Sequence, residues 1–159
     1  MTTAFAVTAS VSGLDLSPEM IRLAADRLGA KTDLKVGDSE DLPWPDGTFD
    51  AVTCSSSYHH YPQPQKALSE MRRVLKPGGQ LVLADVWLPT PLRQIRNYVL
   101  IPNTKEGDVR VYSRLEITSL LESAELELAS WRRIGLLGCV AEARKIWFRR
   151  DKEECSGIA

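Results

Sequence analysis

Strand-like and helix-like segments alternate along most of the chain, and this order is the feature that most constrains the fold. The apolar run Ala6–Leu14 predicts a strand, and residues 18–28 predict a helix because apolar side chains recur at helical spacing. Ser17 is a favoured N-cap residue, and Gly29 is a favoured residue at a helix end. A short strand is expected at residues 34–36. Such alternation favours an α/β fold with parallel strands.

The middle of the chain repeats the pattern after an acidic, turn-rich segment. Phe49–Cys54 predicts a buried strand, a helix is expected from about Pro64 to Leu75, and Gln80–Trp87 predicts the next strand. The tripeptide Pro77-Gly78-Gly79 would end the helix, because proline cannot continue it. We therefore expect parallel strands and helices in strict alternation over residues 14–88.

The C-terminal third predicts a different ending to the sheet. Ser113 and Glu116 form a capping-box pattern that opens a helix. The apolar face of that helix would consist of Ile117, Leu120, Leu121 and Ala124. Two strands are expected near Glu127–Arg133 and Val140–Phe148, and only a turn separates them. So short a connection requires an antiparallel pair, which predicts a parallel sheet closed by an antiparallel hairpin.

Composition argues against several classes of function. Twenty basic and twenty-one acidic side chains give a net charge of −1, which offers no electrostatic footprint for nucleic acid or an anionic membrane. Three cysteines without a CxxC pair suggest reduced thiols in the cytoplasm. We expect a cytoplasmic protein without nucleic-acid or membrane partners, with one domain over residues 1–150 and a polar tail over residues 151–159.

Acidic residues end the first two predicted strands. Ligands of open α/β sheets bind beyond the carboxyl ends of the strands, and a carboxylate there can accept hydrogen bonds from ribose hydroxyls. Asp15 stands at the first such position, where it could equally cap the following helix. Asp38 stands at the second, where its own position favours a solvated acidic turn over a ligand contact. Two such residues in succession favour a nucleoside site.

Three segments carry a resemblance to a known family. They are GLDLSPEMI, VGDSEDLPWPDGTFDAV and ALSEMRRVLKPGGQLVLAD. In order and spacing they resemble the class I S-adenosylmethionine-dependent methyltransferases of the small-molecule type, over about Val11 to Phe148. The resemblance implies a Rossmann-like, doubly wound and mostly parallel sheet, S-adenosylmethionine as cofactor, and methyl transfer to a small-molecule acceptor.

The resemblance also implies roles for single residues. The residue matching Asp15 binds the ribose of the cofactor, those matching Asp38 and Ser39 hold the adenine, and Leu42 packs on its ring. The loop after the third predicted strand would lie beside the methionyl end. The cofactor-binding residues expected on this basis are Asp15, Leu16, Asp38, Ser39, Leu42, Cys54, Ser55 and Ser56.

The same loop supplies the candidate catalytic residues, His59 and Tyr58, which with Ser56 would line the methyl-transfer site. His59 or the adjacent His60 could act as a general base or could position the acceptor. We favour positioning, because methyl transfer from a sulfonium depends mainly on alignment. No metal site is expected, since no third ligand lies at suitable spacing. Residues 89–112 would cap the acceptor.

One family feature has no counterpart in the sequence. The family begins with a strand that leads into a glycine-rich loop such as D-x-G-x-G-x-G, whose glycines let the backbone approach the cofactor. No Gly-x-Gly occurs in the 159 residues, and only twelve residues precede Gly13. We therefore expect the first strand and this loop to be missing. Without a G-x-G-x-x-G fingerprint or a Tyr-x-x-x-Lys pair, a nicotinamide reductase is disfavoured.

The missing strand would normally be central in the sheet. The strands ending at Asp15 and Cys54 would then pair directly, keep exposed edges, or meet a second copy to form a homodimer. We favour direct pairing, because it needs no second chain. Two functions stay open: methyl transfer to a small molecule, and a catalytically inactive, truncated methyltransferase-like fragment that binds a partner protein.

Overall fold

The computed structural model describes residues 10–29, 32–103 and 107–146. The chain divides into two compact units, Met1–Pro43 and Trp44–Ala159. The predicted polar tail and the last residues of the predicted strand Val140–Phe148 lie outside the described residues. No described helix has the length and apolar character that crossing a membrane requires.

The N-terminal unit is a single strand–helix–strand element. Its parts are β1 (Ser12–Asp15), α1 (Pro18–Leu28) and β2 (Asp33–Val36), and β1 pairs with β2 in parallel. The Ser17 hydroxyl accepts a hydrogen bond from the backbone N–H of Met20, and Gly29 ends the helix at φ 81°. Both predicted helix ends are therefore confirmed. The first strand begins later than predicted, because Ser10 and Val11 are not in it. Residues 6–9 of the predicted strand lie outside the described residues.

This unit buries little apolar surface of its own. No residue of α1 is buried, and Leu28 at the end of its apolar face remains 57% exposed. The predicted helix is present, yet the described residues of this unit do not cover the apolar stripe of α1. Since tertiary packing of such a stripe normally supplies most of the stability of a helix, the unit is weakly stabilised by its own contacts.

The C-terminal unit contains a four-stranded mixed sheet in the order β3-β4-β6-β5. Its strands and longer helices are β3 (Phe49–Ser55), α2 (Pro64–Val74), β4 (Leu75–Val86), α3 (Thr90–Ile95), α4 (Arg114–Ser123), β5 (Leu126–Ile134) and β6 (Gly138–Lys145). Strand β4 is parallel to β3, whereas β6 is antiparallel to both β4 and β5. The predicted antiparallel hairpin is confirmed.

Helices α2 and α4 form the core of this unit with the sheet. The well-buried side chains of α2, β4 and α4 are Ala67, Leu68, Met71, Val74, Leu75, Leu81, Leu83, Ile117 and Leu121. The capping box at the start of α4 is present, because the Ser113 hydroxyl accepts from the backbone N–H of Glu116 and the Glu116 carboxylate accepts from that of Ser113. Local sequence signals thus place α4 as predicted.

The segment Pro77-Gly78-Gly79 lies inside a strand instead of ending a helix. Strand β4 starts at Leu75, immediately after α2, and the tripeptide forms an irregularity between the two pairs that join β3 to β4 at Phe49 and Ala51. A Cβ atom at Gly79 would lie 2.8 Å from the carbonyl oxygen of Lys76 in the same strand and 3.2 Å from that of Asp50 in β3, so only glycine fits without a backbone shift.

Two expectations about the order of elements are wrong. No helix lies between β2 and β3, because the proline-rich turn segment of residues 37–48 connects them, so the alternation over residues 14–88 is not strict. The strands ending at Asp15 and after Cys54 belong to different sheets, β1-β2 and β3-β4-β6-β5, so they are not paired directly. A homodimer through one of these edges stays a prediction.

Candidate functional site

Asp15 and Asp38 lie at the same end of the parallel strand pair. Asp15 is the last residue of β1, and Asp38 follows the last residue of β2 by two positions. One oxygen of Asp15 accepts from the backbone N–H of Ser17 at 2.8 Å, and one oxygen of Asp38 accepts from that of Glu40 at 2.9 Å. Each carboxylate is exposed and keeps its second oxygen without a hydrogen bond among the described residues.

The other predicted cofactor residues of the N-terminal unit stand beside these carboxylates in the chain. Leu16 follows β1 and is 71% exposed, while Ser39 and Leu42 are half-buried in the turn after β2. The unit therefore presents an acidic and an apolar surface at the carboxyl end of its strands. Such a surface suits the sugar and ring of a nucleoside.

Side-chain contacts and a backbone hydrogen bond hold the loop after β3 in place. The Cys54 sulfur lies 3.2 Å from the Ser57 hydroxyl and 3.5 Å from the Tyr61 hydroxyl, and burial raises the pKa of this thiol although both contacts act against the shift. Ser55 and Ser56 are exposed. Ser56 adopts the left-handed conformation, with φ 53°, and its backbone N–H donates to the carbonyl of Ala84 at 2.8 Å. Strain of this kind persists where surrounding contacts fix the backbone.

Tyr58 is a core residue of this loop. Its ring is 1% exposed and packs against the ring of Tyr112, and its hydroxyl donates to the carbonyl of Pro64 at 3.2 Å. Burial raises the pKa of Tyr58 above its usual value. This placement favours a packing role for Tyr58 over a catalytic one.

His59 is held by a buried carboxylate at the end of β4. Asp85 accepts from the backbone N–H of His59 at 2.9 Å, and its other oxygen lies 2.6 Å from Nδ1 of the same residue. That second oxygen also accepts from the backbone N–H of Val86. The side chains of His59 and Asp85 are only 10% and 11% exposed. The imidazole is therefore fixed in place and orientation.

A loop from residues 107–112 covers the other side of His59. The backbone N–H groups of Val109 and Arg110 both donate to the carbonyl of His59. Asp108 Oδ1 lies 3.7 Å from His59 Nε2 and 3.3 Å from Nδ1 of His60. The segment that the sequence assigned to covering the acceptor is thus anchored directly on the candidate catalytic histidine.

The sequence did not single out Asp85 or Asp108. Asp85 carried a usable signal, because it stands near the carboxyl end of a predicted strand, where Asp15 and Asp38 had been recognised. Asp108 carried none, because it lies in an irregular loop far along the chain from the histidines. The Asp85–His59–Asp108 arrangement is a product of tertiary structure.

Comparisons with known proteins identify the family of this chain. A family model described as a methyltransferase domain matches residues 1–83. A demethylmenaquinone methyltransferase of Deinococcus radiodurans is 42% identical over 78 residues, which cover 47% of this chain and 32% of the relative. A ubiquinone/menaquinone biosynthesis C-methyltransferase of Geobacter sp. is 38% identical over 86 residues, 51% of this chain and 37% of the relative. The chain thus spans about a third of the length of these relatives.

Similarity in structure extends further along the chain. A protein of Bacillus halodurans, provisionally described as a methyltransferase, superposes with a TM-score of 0.77. The alignment covers 87% of this chain and 84% of that protein at 22% identity. At this identity the match shows a shared fold, and it confirms the Rossmann-like α/β class.

Proposed function

Because the chain belongs to the methyltransferase domain family, we propose that it transfers the methyl group of S-adenosylmethionine to a small-molecule acceptor. One observation carries the proposal. Within the matched residues, Asp15 and Asp38 end neighbouring parallel strands on the same side, and each offers an unused carboxylate oxygen. Two open carboxylate oxygens at one end of a parallel strand pair support the binding of a nucleoside cofactor there.

Each residue has a separate task in cofactor binding. The open oxygen of Asp15 would accept hydrogen bonds from the ribose hydroxyls. Asp38 and Ser39 would hold the adenine edge, and the apolar surface of Leu42 would contact its ring. Leu16 would border the ribose. By the family resemblance, Cys54, Ser55 and Ser56 would contact the methionyl end.

His59 serves as a positioning residue in this proposal. The cofactor supplies an electrophilic methyl group, so the protein's main contribution is to align the acceptor with it. The two Asp85 contacts fix the imidazole, and the loop after Asp108 covers it. A rigid polar group on a covered surface is suited to orienting a small molecule. Tyr58 would support the loop by packing.

A ring carbon of a quinone precursor is the first acceptor to test. One relative given above is named a demethylmenaquinone methyltransferase, and the other a ubiquinone/menaquinone biosynthesis C-methyltransferase. Residues 89–112 would contact the acceptor, because residues 107–112 of this segment cover His59. Other aromatic acceptors that carry oxygen or nitrogen nucleophiles serve as comparison substrates.

The decisive test of the proposal is ligand binding at Asp15. S-Adenosylhomocysteine is titrated into the wild-type chain and into Asp15→Asn, and binding is measured by calorimetry up to millimolar ligand. Loss of a charge-assisted hydrogen bond should weaken binding about 10- to 100-fold. Asp26→Asn, which changes an exposed carboxylate on α1, is the matched control and should bind as the wild type does.

Two results would contradict the proposal. Equal affinity of Asp15→Asn and Asp26→Asn for S-adenosylhomocysteine would show that Asp15 does not bind the ribose. A chain that binds the cofactor product but transfers no radiolabelled methyl group to any tested acceptor would instead support the catalytically inactive alternative.

A further inference from the structure

His59, His60 and Asp108 bring three metal-ligating groups together. Each offers one ligand atom, and the three atoms lie within 4.8 Å of one another. The side chains of His59 and Asp108 are 10% and 6% exposed, whereas that of His60 is 41% exposed. The cluster is therefore a mostly buried group with one open side.

The tautomer of neutral His59 places two hydrogen-bond acceptors opposite each other within the cluster. Asp85 is an acceptor at Nδ1, so a neutral His59 carries its proton there and presents the lone pair of Nε2 on its other side. That lone pair faces Oδ1 of Asp108, which is also an acceptor. Two acceptors that face each other repel, unless a proton or a metal cation lies between them.

The distances suit a shared ion better than direct hydrogen bonds. The separations from Asp108 Oδ1 are 3.7 Å to His59 and 3.3 Å to His60, both long for a hydrogen bond. Two ligands that each lie about 2.1 Å from one ion are about 3.0 Å apart at a right angle and about 3.4 Å apart at the tetrahedral angle. The His60 separation lies within this range and the His59 separation is about 0.3 Å longer. All three ligand atoms lie within 4.8 Å of one another, so small side-chain movements would complete the coordination.

Neighbouring groups fix the orientation of these side chains, as hydrogen-bonding partners of metal ligands do in known metal sites. A carboxylate on the far nitrogen of a metal-binding histidine is a recurrent arrangement, and Asp85 supplies it. The backbone bonds from Val109 and Arg110 to His59 fix the loop that carries Asp108. Arg96 pairs with the other oxygen of Asp108, which leaves Oδ1 directed at the histidines.

We propose that His59, His60 and Asp108 bind one divalent transition-metal ion. Two imidazoles and one carboxylate favour ions of the Zn²⁺, Co²⁺, Fe²⁺ and Mn²⁺ class over Mg²⁺ or Ca²⁺. Three protein ligands leave at least one coordination position for water or an oxygen of a small molecule. This site shares His59 with the proposed acceptor-positioning role, but metal binding can be measured without cofactor or turnover, so the two proposals can fail separately.

Cobalt is the probe for the test, because its visible absorption reports on coordination. The full chain is freed of metal by dialysis against a chelator and then against metal-free buffer, and Co²⁺ is titrated into it by absorption and calorimetry. We expect one ion per chain, and at least 10-fold weaker binding in Asp108→Asn and in His60→Gln. Asp85→Asn should weaken binding by about 10- to 100-fold through the orientation of His59. Asp50→Asn, an exposed carboxylate of the same unit, should leave binding unchanged.

The outcomes distinguish a metal ion between His59 and Asp108 from a proton in the same place. Less than half an ion per chain at micromolar Co²⁺, or equal binding by His60→Gln and the wild type, would overturn the proposal. A thiolate-to-cobalt absorption band would overturn it as well, because it would assign the ion to a cysteine. If Asp108→Asn does not fold by circular dichroism, His60→Gln decides, since its side chain is partly exposed and replaceable.

Discussion

Removal of the Asp85 carboxylate should destabilise the C-terminal unit in a graded manner. Asp85 accepts three hydrogen bonds, two from His59 and one from the backbone N–H of Val86. In Asp85→Asn the amide oxygen can keep the two bonds that share one oxygen, but the NH₂ group then faces the backbone N–H of His59. One unsatisfied buried donor costs about 1–3 kcal/mol, so we expect a loss of about 2 kcal/mol.

Asp85→Ala leaves all three donors without their partner. Water would reach some of them, because the side chain is 11% exposed, so we expect a loss of about 3–5 kcal/mol. Asp50→Asn is the control, since Asp50 is exposed and its pair with Lys76 lies at the surface. That change should stay within about 0.5 kcal/mol of the wild type.

Urea unfolding followed by tryptophan fluorescence measures this series. All four tryptophans lie between residues 44 and 147, within the C-terminal unit, so the signal reports on the unit that contains Asp85. The transition midpoint should fall in the order Asp50→Asn, Asp85→Asn, Asp85→Ala, with an unchanged slope. An Asp85→Asn midpoint equal to that of Asp50→Asn would refute the reasoning, because the buried bonds would then contribute nothing.

Three further outcomes follow from packing and charge. Burial would raise the pKa of Glu116, but the hydrogen bonds of the capping box and its arginine partner lower this pKa to about 2. The ionised carboxylate therefore stabilises the fold by about 1–2 kcal/mol after solvent screening, fully well above pH 4.5 and progressively less as pH falls towards 2. A pH series of urea midpoints should show this loss in the wild type but not in Glu116→Gln. Leu121→Ala removes a fully buried side chain and should cost about 2–5 kcal/mol in the same urea assay. In a Cys155→Ser background, the buried thiols of Cys54 and Cys139, whose pKa values burial raises, should react with a disulfide reagent at pH 8 far more slowly than after unfolding.

Local signals in the sequence predicted the elements that depend on local chemistry. Ser17 and Gly29 set the ends of α1, and the Ser113–Glu116 pair opened α4, because capping requires only residues that are neighbours in the chain. The placement of Asp15 at the end of β1 also followed from the strand that precedes it. These predictions needed no knowledge of distant contacts.

Features that depend on distant contacts could not be predicted. The glycines before Gln80 resemble a helix stop, and only the partner strand β3 turns them into part of β4. The meeting of Asp108 with the histidines depends on two backbone bonds to His59. The expectation of no metal site considered only ligands close to the histidines in the chain. Spacing along the chain does not measure distance in space.

The position of β6 has a consequence for how the protein is made. This strand is the last of the sheet in the chain, yet it lies between β4 and β5 and pairs with both. During synthesis β3 and β4 emerge first as a parallel pair, which is marginal alone, and β5 has no neighbour until β6 appears. The sheet is therefore completed in one late step, and a nascent chain halted before Gly138 should depend on chaperones to shield its uncovered apolar surface.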